Sequence, residues 1–270
     1  ESVINQTYQN WELIFWDNQS SDNSSEIIKS YKHPKFNYFY APTHTHLGKA
    51  RELALKKTNG EWIGFLDCDD IWLPDKLHNQ VSVINSFEGN LGLIYSKCEF
   101  FRYRENFNKK VIRESSIKPR KYLPNFKVSK ELCRGNFMPF PSVLYKRDAI
   151  IKAGKFSHYK FSPDYFLNLS VSLNYDVFAI RKVLCLYRYH QSNLSISTKE
   201  IGILENIEII KKLVPNNSGN LSRSHETRYL IFLLFNFRIK SAYMFIKKVN
   251  LFNLFLGLID ISLYFKRFNF

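Results

Sequence analysis

Short apolar runs alternate with helical patterns along the first hundred residues. Apolar runs that end in polar residues predict strands at 12–16, 36–40, 62–66 and 91–95. Between them, helices are expected at 24–31, 47–57 and 74–87, the last with a proline in its first turn. Alternating strands and helices predict an α/β fold, with a mostly parallel sheet that is flanked by helices.

The pattern changes near residue 101. Residues 101–130 carry ten Lys or Arg against two Glu and have little periodicity, so an irregular insertion or a hairpin is expected there. Beyond it, strands are expected at 142–145, 176–180 and 183–187, and helices at 147–153 and 164–173. The α/β pattern therefore extends to about residue 197.

Everything after residue 197 has a helical pattern. The stretch 251–267 is apolar except for one narrow stripe of polar or small residues at helical spacing, namely Asn253, Gly257, Asp260, Tyr264 and Arg267. Neither this stretch nor the apolar run 229–235 supplies the roughly 20 uninterrupted apolar residues of a membrane span. Basic residues flank both segments, so an interfacial helix pair fits, and helices packed on the globular domain fit equally well.

Three carboxylates follow directly on the apolar run 62–66, those of Asp67, Asp69 and Asp70. At the end of a strand they would lie where open α/β sheets bind their ligands. Their like charges repel, so a positive group is expected beside them, and oxygen ligands of this kind suit Mg²⁺ or Mn²⁺. The alternative is a solvated turn that caps the next helix, a position where aspartate is favoured.

The composition indicates a folded, basic protein. Of the 270 residues, 45% are hydrophobic, which is ample for a core and argues against whole-chain disorder. The formal net charge of +15 indicates an anionic partner such as nucleic acid, a phosphorylated substrate or an acidic membrane surface. The four cysteines form no C-x-x-C pair, and their sparse spacing favours reduced thiols in a cytosolic setting.

Several segments resemble, in order and spacing, the signatures of family 2 glycosyltransferases with the GT-A fold. They are 16–24, 48–51 and 66–70, followed by 136–143, 162–165 and 187–195. The resemblance covers about residues 1–197. It implies a Rossmann-like domain in which 1–100 binds the nucleotide sugar and 101–197 binds the acceptor. The hydrophobic pattern adds a helical segment at 198–270 that could associate with a membrane.

The same resemblance implies roles for the residues of the donor site. It places Asp17 at the nucleotide base, with Asn18 where a second aspartate is usual, and Arg51 at the diphosphate. Asp67 and Asp69 would form the D-x-D pair of the family. One carboxylate would face the ribose, and that of Asp69 would hold a Mn²⁺ or Mg²⁺ ion.

The resemblance also implies roles for further residues near the strand ends. His190 is expected at the metal or the diphosphate and Arg188 at a phosphate, and a structural role is the alternative for each. Asp70 would support its neighbours or cap a helix, and Trp72 would stack on the sugar or belong to the core. Gln19 stands where the family usually has glycine, which weakens the prediction of a tight turn there.

Asp164 is, by the same resemblance, the general base that takes the proton of the acceptor hydroxyl as it attacks the anomeric carbon. One base that drives one direct displacement inverts the anomeric centre. Pro163 replaces the glutamate that usually precedes this aspartate, which removes a supporting carboxylate and could start the helix at that point. A plain helix N-cap is the alternative role of Asp164.

The resemblance begins part-way through the family pattern. The family's first strand and its Pro-Thr-Tyr-Asn loop have no counterpart before Glu1, which lies inside the expected first helix. We therefore expect an N-terminally truncated sequence that lacks a central strand, with an incomplete nucleotide pocket and an exposed strand edge. A catalytically incomplete fragment is one hypothesis that follows.

These patterns predict an inverting glycosyltransferase that moves a sugar from a nucleotide-diphosphate sugar to a hydroxyl of a glycan or lipid-linked acceptor. Its expected setting is bacterial surface polysaccharide or lipopolysaccharide synthesis, in the cytoplasm or at the inner face of the plasma membrane. A metal-dependent nucleotidyltransferase could use similar carboxylates, but the acceptor-like segment 136–195 argues against it. A basic membrane- or nucleic-acid-binding protein is the non-catalytic alternative, although no RNA-recognition, zinc-finger or helix-turn-helix signature is present and no nucleic acid is expected.

Overall fold

The computed structural model describes residues 1–105, 111–117, 125–217, 221–236, 238–249 and 251–268. Part of the basic insertion expected at 101–130 therefore lies outside the described residues. The described elements form two sheets with helices packed around them.

The first sheet pairs β1 (Leu13–Asp17) in parallel with β2 (Phe36–Tyr40), and α1 (Ser24–Ser30) connects the two strands. All three elements lie close to where the hydrophobic pattern predicts them. Asp17 lies beside Tyr40 in the register, so both strands end at the same edge of the sheet. This edge carries the Asp17 carboxylate and the polar loop that follows it.

The second sheet has the strand order β3–β7–β5–β8–β4, and β6 pairs with β5. Its strands are β3 (Trp62–Gly64), β4 (Ile71–Trp72), β5 (Leu91–Glu105), β6 (Val111–Ile117), β7 (Leu144–Lys146) and β8 (Asp176–Arg188). Strands β5 and β8 run parallel, whereas β3–β7, β5–β7, β5–β6 and β4–β8 are antiparallel.

The α/β class is confirmed, but the described sheet is mixed where a mostly parallel one was expected. Periodicity locates strands without telling which way each strand runs beside its neighbour. One long strand, β8, also takes the place of the two short strands expected at 176–180 and 183–187. Its pairing with β5 shifts register on both sides of Lys97, which absorbs the interruption.

The helices fall into two groups along the chain. The first group is α2 (Leu47–Leu55), α3 (Lys76–Ser86), α4 (Ser129–Arg134), α5 (Arg147–Ala153) and α6 (Pro163–Asn174). The second is α7 (Leu194–Ser197), α8 (Lys199–Leu213), α9 (Arg223–Phe235), α10 (Ile239–Ile246) and α11 (Leu251–Phe268). Among the described residues, no helix combines the length and the apolar character that a membrane crossing requires.

Helix α6 lies in the core of the protein. It packs against β5 and against the helices α4, α5 and α8, and its residues Leu167 and Leu169 are fully buried. Burying a leucine side chain stabilises a fold by about 1.5–3 kcal/mol. The core therefore fixes the start of α6, which carries Asp164.

Lys76, at the start of α3, is a fully buried lysine. Its Nζ donates a hydrogen bond to Gln80 Oε1 (2.7 Å) and lies 3.9 Å from the centre of the Trp72 ring. The Gln80 amide in turn donates to the carbonyl oxygen of Ser142 (3.0 Å). Burial lowers the pKa of Lys76 to about 7, because the charged ammonium loses its hydration.

We expect Lys76 to make the free energy of unfolding rise with pH between its folded and unfolded pKa values. The unfolded lysine has a pKa of about 10.4, so the unfolded chain binds more protons over this interval. Lys76→Met removes the contribution, and the stability of the wild type relative to the variant should rise by about 1.4 kcal/mol per pH unit. Urea unfolding of both proteins at neutral and alkaline pH measures this difference. The expectation would be contradicted if the free energies of unfolding of the wild type and of Lys76→Met changed with pH in the same way.

Candidate active site

Asp17 is held at the carboxyl end of β1 with only 2% of its surface exposed. Its Oδ2 accepts a hydrogen bond from the Tyr38 hydroxyl (2.7 Å), and its Oδ1 accepts one from the Ser20 N–H (2.7 Å). Burial favours the neutral acid, but the hydrogen bonds from Ser20 and Tyr38 outweigh it and lower the pKa of Asp17. The site therefore has a fixed, ionised carboxylate at this edge.

The loop after β1 is tied to the loop before α2. Asn18 Nδ2 donates to the Thr45 carbonyl oxygen (2.6 Å), and the Thr45 N–H donates back to Asn18 Oδ1 (3.2 Å). Gln19 takes a left-handed backbone conformation (φ +68°), and its amide donates to the carbonyl oxygen of Pro42 (3.1 Å). The tight turn therefore forms without glycine, and the side-chain amides of Asn18 and Gln19 anchor it.

Arg51 is the positive group expected beside the strand-end carboxylates. Its Nη2 lies 2.5 Å from Asp67 Oδ1, and its guanidinium carbon lies 4.4 Å from the centre of the Phe140 ring. The arginine side chain is 11% exposed, whereas that of Asp67 is 41% exposed. Arg51 is therefore a nearly buried cation whose partner carboxylate opens to solvent.

Asp69 and His190 form a second pair at the same strand end. Asp69 Oδ2 lies 2.9 Å from His190 Nε2, and each side chain is more than a third exposed. The side chain of Asn193 holds the backbone of His190, because its Oδ1 accepts the His190 N–H (2.6 Å). In the part of the chain that the structure describes, no group of three or more His, Cys, Asp or Glu side chains is placed to hold a metal ion.

Asp70 is buried beneath the exposed carboxylates. Its Oδ1 accepts the backbone N–H of Arg188 (2.9 Å), and its Oδ2 has no hydrogen-bond partner among the described residues. Burial raises the pKa of Asp70 to about 8, and the charges of Asp67 and Asp69 add to the rise. The alternative of a helix cap is wrong, because α3 begins only at Lys76 and Asp70 supports the end of β8 instead.

Arg188 and Trp72 both lie against other side chains. The guanidinium carbon of Arg188 is 4.8 Å from the centre of the Tyr103 ring and 5.5 Å from that of Phe101. Trp72 is buried, and its indole N–H donates to the carbonyl oxygen of Pro141 (2.8 Å). Of its two predicted positions, Trp72 therefore takes the one in the core, where it does not face the sugar.

Cys68 lies between Asp67 and Asp69 in the segment after β3. Burial raises the pKa of its thiol, and the charges of Asp67 and Asp69 raise it further, as does that of Asp22, which follows β1.

Asp164 lies within electrostatic reach of Arg51 and Asp67. Burial raises its pKa, the Arg51 charge lowers it and the Asp67 charge raises it again. Asn136 Nδ2 donates to Asp164 Oδ2 (3.0 Å). Helix α6 begins at Pro163, as predicted, and Ser162 occupies the N-cap position, so the alternative of Asp164 as an N-cap is wrong.

A chain of hydrogen bonds leads from the core to Asp164. The buried hydroxyl of Tyr145 donates to Asn168 Oδ1 (2.6 Å), and Asn168 Nδ2 donates to Asn136 Oδ1 (3.1 Å). Asn136 then donates to Asp164. The sequence analysis missed Asn168 and Tyr145. Asn168 stands four residues after Asp164, on the same face of α6, and this spacing could have revealed it.

The loop before α6 is held by Glu205, a residue of α8. Its Oε1 accepts the N–H of Lys160 (3.0 Å), and its Oε2 accepts those of Phe161 (3.0 Å) and Ser162 (2.8 Å). These are the last backbone donors before Pro163, which has none. A carboxylate from the C-terminal helices therefore fixes the start of α6. Sequence reasoning had no local signal for it.

Comparison with known sequences identifies the first part of the chain. The profile of Glycosyl transferase family 2 matches residues 1–152. An Escherichia coli relative, UDP-Glc:alpha-D-GlcNAc-diphosphoundecaprenol beta-1,3-glucosyltransferase WfgD, is 28% identical over 200 residues, which are 74% of this chain and 73% of the relative. An uncharacterized glycosyltransferase of Haemophilus influenzae is 33% identical over 151 residues, 55% of this chain and 56% of the relative.

Solved structures share the fold. Staphylococcus aureus TarS, residues 1–349, in complex with UDP-GlcNAc superposes with a TM-score of 0.60 at 15% identity, over 99% of this chain and 76% of that one. The Pyrobaculum calidifontis mannosyltransferase PcManGT, in complex with GDP-Man and Mn²⁺, gives a TM-score of 0.58 at 13% identity. The superposition covers 97% of this chain and 74% of PcManGT. The fold is GT-A, and because the family profile covers more than half of the chain, this protein belongs to glycosyl transferase family 2.

Proposed function

We propose that this protein transfers a sugar from a nucleotide-diphosphate sugar to a hydroxyl of a glycan or lipid-linked acceptor, with inversion. One observation carries the proposal: Asn136 holds Asp164 by a hydrogen bond, and the charges of the ion-paired Arg51 and Asp67 act on the pKa of Asp164. A base and a cation thus face one region. The base comes from the proposed acceptor half 101–197, and the cation from the proposed donor half 1–100.

The donor is proposed to bind along the two loops that follow β1 and β3. Asp17 and Asn18 would contact the nucleoside, and Arg51 would contact the diphosphate with the help of Arg188. Asp67 holds Arg51 in place before the donor arrives, which lowers the cost of ordering it on binding. The E. coli relative is named for UDP-Glc, and TarS was solved with UDP-GlcNAc, so a uridine diphosphate sugar is the first donor to test.

Asp69 and His190 fit a divalent cation that is shared with the donor. A carboxylate oxygen and an imidazole nitrogen 2.9 Å apart, both partly exposed, form a donor set suited to Mn²⁺, and the remaining ligands would come from the diphosphate and water. A bound Mn²⁺ or Mg²⁺ would neutralise negative charge on the leaving diphosphate. Asp70, buried behind the pair, ties the end of β8 to this region.

Asp164 is proposed to act at the acceptor oxygen. One carboxylate oxygen, Oδ2, is occupied by the Asn136 amide. The carboxylate takes the hydroxyl proton, the acceptor oxygen forms a bond to the anomeric carbon, and the bond from that carbon to the diphosphate oxygen breaks. Burial raises the pKa of Asp164, which makes the carboxylate a stronger base than an exposed aspartate. Arg51 keeps it ionised by opposing this rise.

The acceptor and the setting are proposed from the relatives. The E. coli relative is named for a diphosphoundecaprenol-linked acceptor, which favours a lipid-linked acceptor for this chain as well. A role in bacterial surface polysaccharide or lipopolysaccharide synthesis follows. The corresponding location is the cytoplasm or the inner face of the plasma membrane.

The experiment that tests this function is calorimetric titration of UDP, GDP and their sugars with and without Mn²⁺, followed by a transfer assay on a lipid-linked sugar acceptor. Binding of one nucleotide and formation of a longer glycan are expected. A folded protein that binds none of these nucleotides, with or without Mn²⁺, would overturn the proposal.

Asp69→Ala is expected to abolish metal-dependent binding of the donor, because it leaves His190 as a single ligand in the proposed pair. We expect the affinity for the nucleotide in the presence of Mn²⁺ to fall by about tenfold to a hundredfold. Calorimetry with and without Mn²⁺ measures the change. Asp75→Ala is a matched control, since this carboxylate is likewise partly exposed but pairs with Lys182. If Mn²⁺ raised the nucleotide affinity equally in the wild type and in Asp69→Ala, the assignment of Asp69 as a metal ligand would be contradicted.

A further inference from the structure

Two members of the polar stripe of α11, Gly257 and Asp260, lie against the protein. Asp260 is only 5% exposed and forms ion pairs with Arg223 and Arg134. Gly257 packs so closely on α9 that a methyl group there would overlap the Thr227 hydroxyl and the carbonyl oxygen of Arg223. This part of the stripe therefore contacts the protein and does not face water.

The outer side of α11 is largely apolar over the residues whose side chains are described. It exposes Phe252 (64%), Phe255 (59%), Leu258 (50%) and Ile259 (42%), together with the polar Ser262. A surface helix of a water-soluble protein shows the reverse arrangement, with its apolar stripe on the core and its polar face outward. The orientation of α11 is therefore suited to an apolar environment on its outer side.

The two helices next to α11 also expose large apolar side chains. Helix α9 packs against both α10 and α11. We define the C-terminal apolar surface as Leu234, Phe235, Tyr243, Met244, Phe252, Phe255, Leu258 and Ile259, all of them exposed. Exposed apolar side chains grouped in this way mark sites of interaction with proteins or membranes.

The charge around this surface is of one sign. The sequence has no Asp or Glu between Glu226 and Asp260, whereas five Lys or Arg lie in that interval. Arg238 pairs with Glu200, but Lys247 and Lys248 are exposed in the turn that joins α10 to α11. The surface therefore combines exposed aromatic and aliphatic side chains with exposed lysines after α10, one of which, Lys247, lies over the Tyr243 ring.

We propose that the C-terminal apolar surface docks on an anionic phospholipid bilayer. Phenylalanine and leucine side chains enter the boundary between headgroups and acyl chains, and lysines beside them bind the phosphates. A second copy of the chain is a poorer occupant, because a twofold interface pairs the same patch with itself and brings like-charged lysines together. This inference does not depend on the proposed reaction.

Sedimentation with lipid vesicles tests the proposal. We expect the purified chain to bind vesicles that contain phosphatidylglycerol at least tenfold more tightly than vesicles of pure phosphatidylcholine, and salt to weaken the binding. The double substitution of Phe252→Ser and Phe255→Ser should lower binding at all salt concentrations. Lys247→Gln together with Lys248→Gln should lower it mainly at low salt.

Lys56→Gln together with Lys57→Gln is the matched control, because it removes two adjacent exposed lysines at the end of α2. This control should bind as the wild type does, and circular dichroism should show that every variant is folded. Failure of the wild type to bind anionic vesicles would overturn the proposal. A loss of vesicle binding in the control as large as that in the Lys247→Gln and Lys248→Gln variant would also overturn it. Dimers in light scattering that the phenylalanine substitutions abolish would also overturn it, in favour of a second copy as the occupant.

Discussion

Asp164→Asn is expected to lower the rate of sugar transfer by about 10²–10⁴-fold, the usual contribution of a positioned general base. The amide has nearly the same shape as the carboxylate but cannot accept the proton of the acceptor hydroxyl. Donor binding should change little, because the proposed donor contacts lie on Arg51 and on the loops after β1 and β3. Initial rates with saturating donor and acceptor, combined with calorimetry of the nucleotide, separate the two effects.

The pH dependence gives a second readout for Asp164. Burial raises its pKa, so the rate of the wild type should fall on the acid side at a higher pH than an ordinary aspartate would give. The variant should lose this acid limb. Asp148→Asn is a matched control, because Asp148 is exposed and also lies in the first turn of a short helix. An active Asp164→Asn protein with the wild-type pH profile would exclude Asp164 as the base.

Glu205→Gln is expected to reduce the rate of transfer by about tenfold to a hundredfold while nucleotide affinity stays the same. The glutamate accepts three backbone N–H groups directly before α6, and a glutamine amide would turn an N–H group toward some of them. Each unsatisfied buried donor costs about 1–3 kcal/mol, so the loop should move and carry Asp164 with it. The measurement compares kcat, the KM for each substrate and the unfolding temperature.

Glu208→Gln is the control for this substitution, since Glu208 lies one turn further along α8 and is exposed. It should leave all three quantities unchanged. A parallel loss of nucleotide binding and transfer in Glu205→Gln would indicate a general loss of structure and count against a positioning role. Unchanged kcat in a folded variant would likewise contradict it.

The prediction from sequence was strongest where the information is local. Short apolar runs that stop at carboxylates predict strands that end before Asp17 and Asp67. In the structure β1 runs to Asp17, whereas β3 ends at Gly64, three residues before Asp67. The helix start at Pro163 follows from the backbone of proline, which lacks an N–H and fits the first turn. Such features depend on neighbouring residues alone.

The prediction was weaker where the outcome depends on packing. The described sheet is mixed, since strand direction depends on how distant segments pair. Gln19 takes a left-handed conformation that glycine usually provides, because side-chain bonds to the next loop hold it there. Neither outcome has a signature within a few residues of the position concerned.

The sequence by itself determined the class of the fold and the positions of the carboxylates after the apolar runs, because apolar periodicity records these directly. The chemical roles of the site residues stay predictions from the family resemblance. Only the tertiary structure decided their partners. It joined His190 to Asp69 and placed Glu205 beneath the start of α6. It also turned Asp260 of α11 toward Arg223, and Phe252 and Phe255 outward. These contacts join residues far apart in the chain, so their geometry arises from the packing of whole helices and sheets.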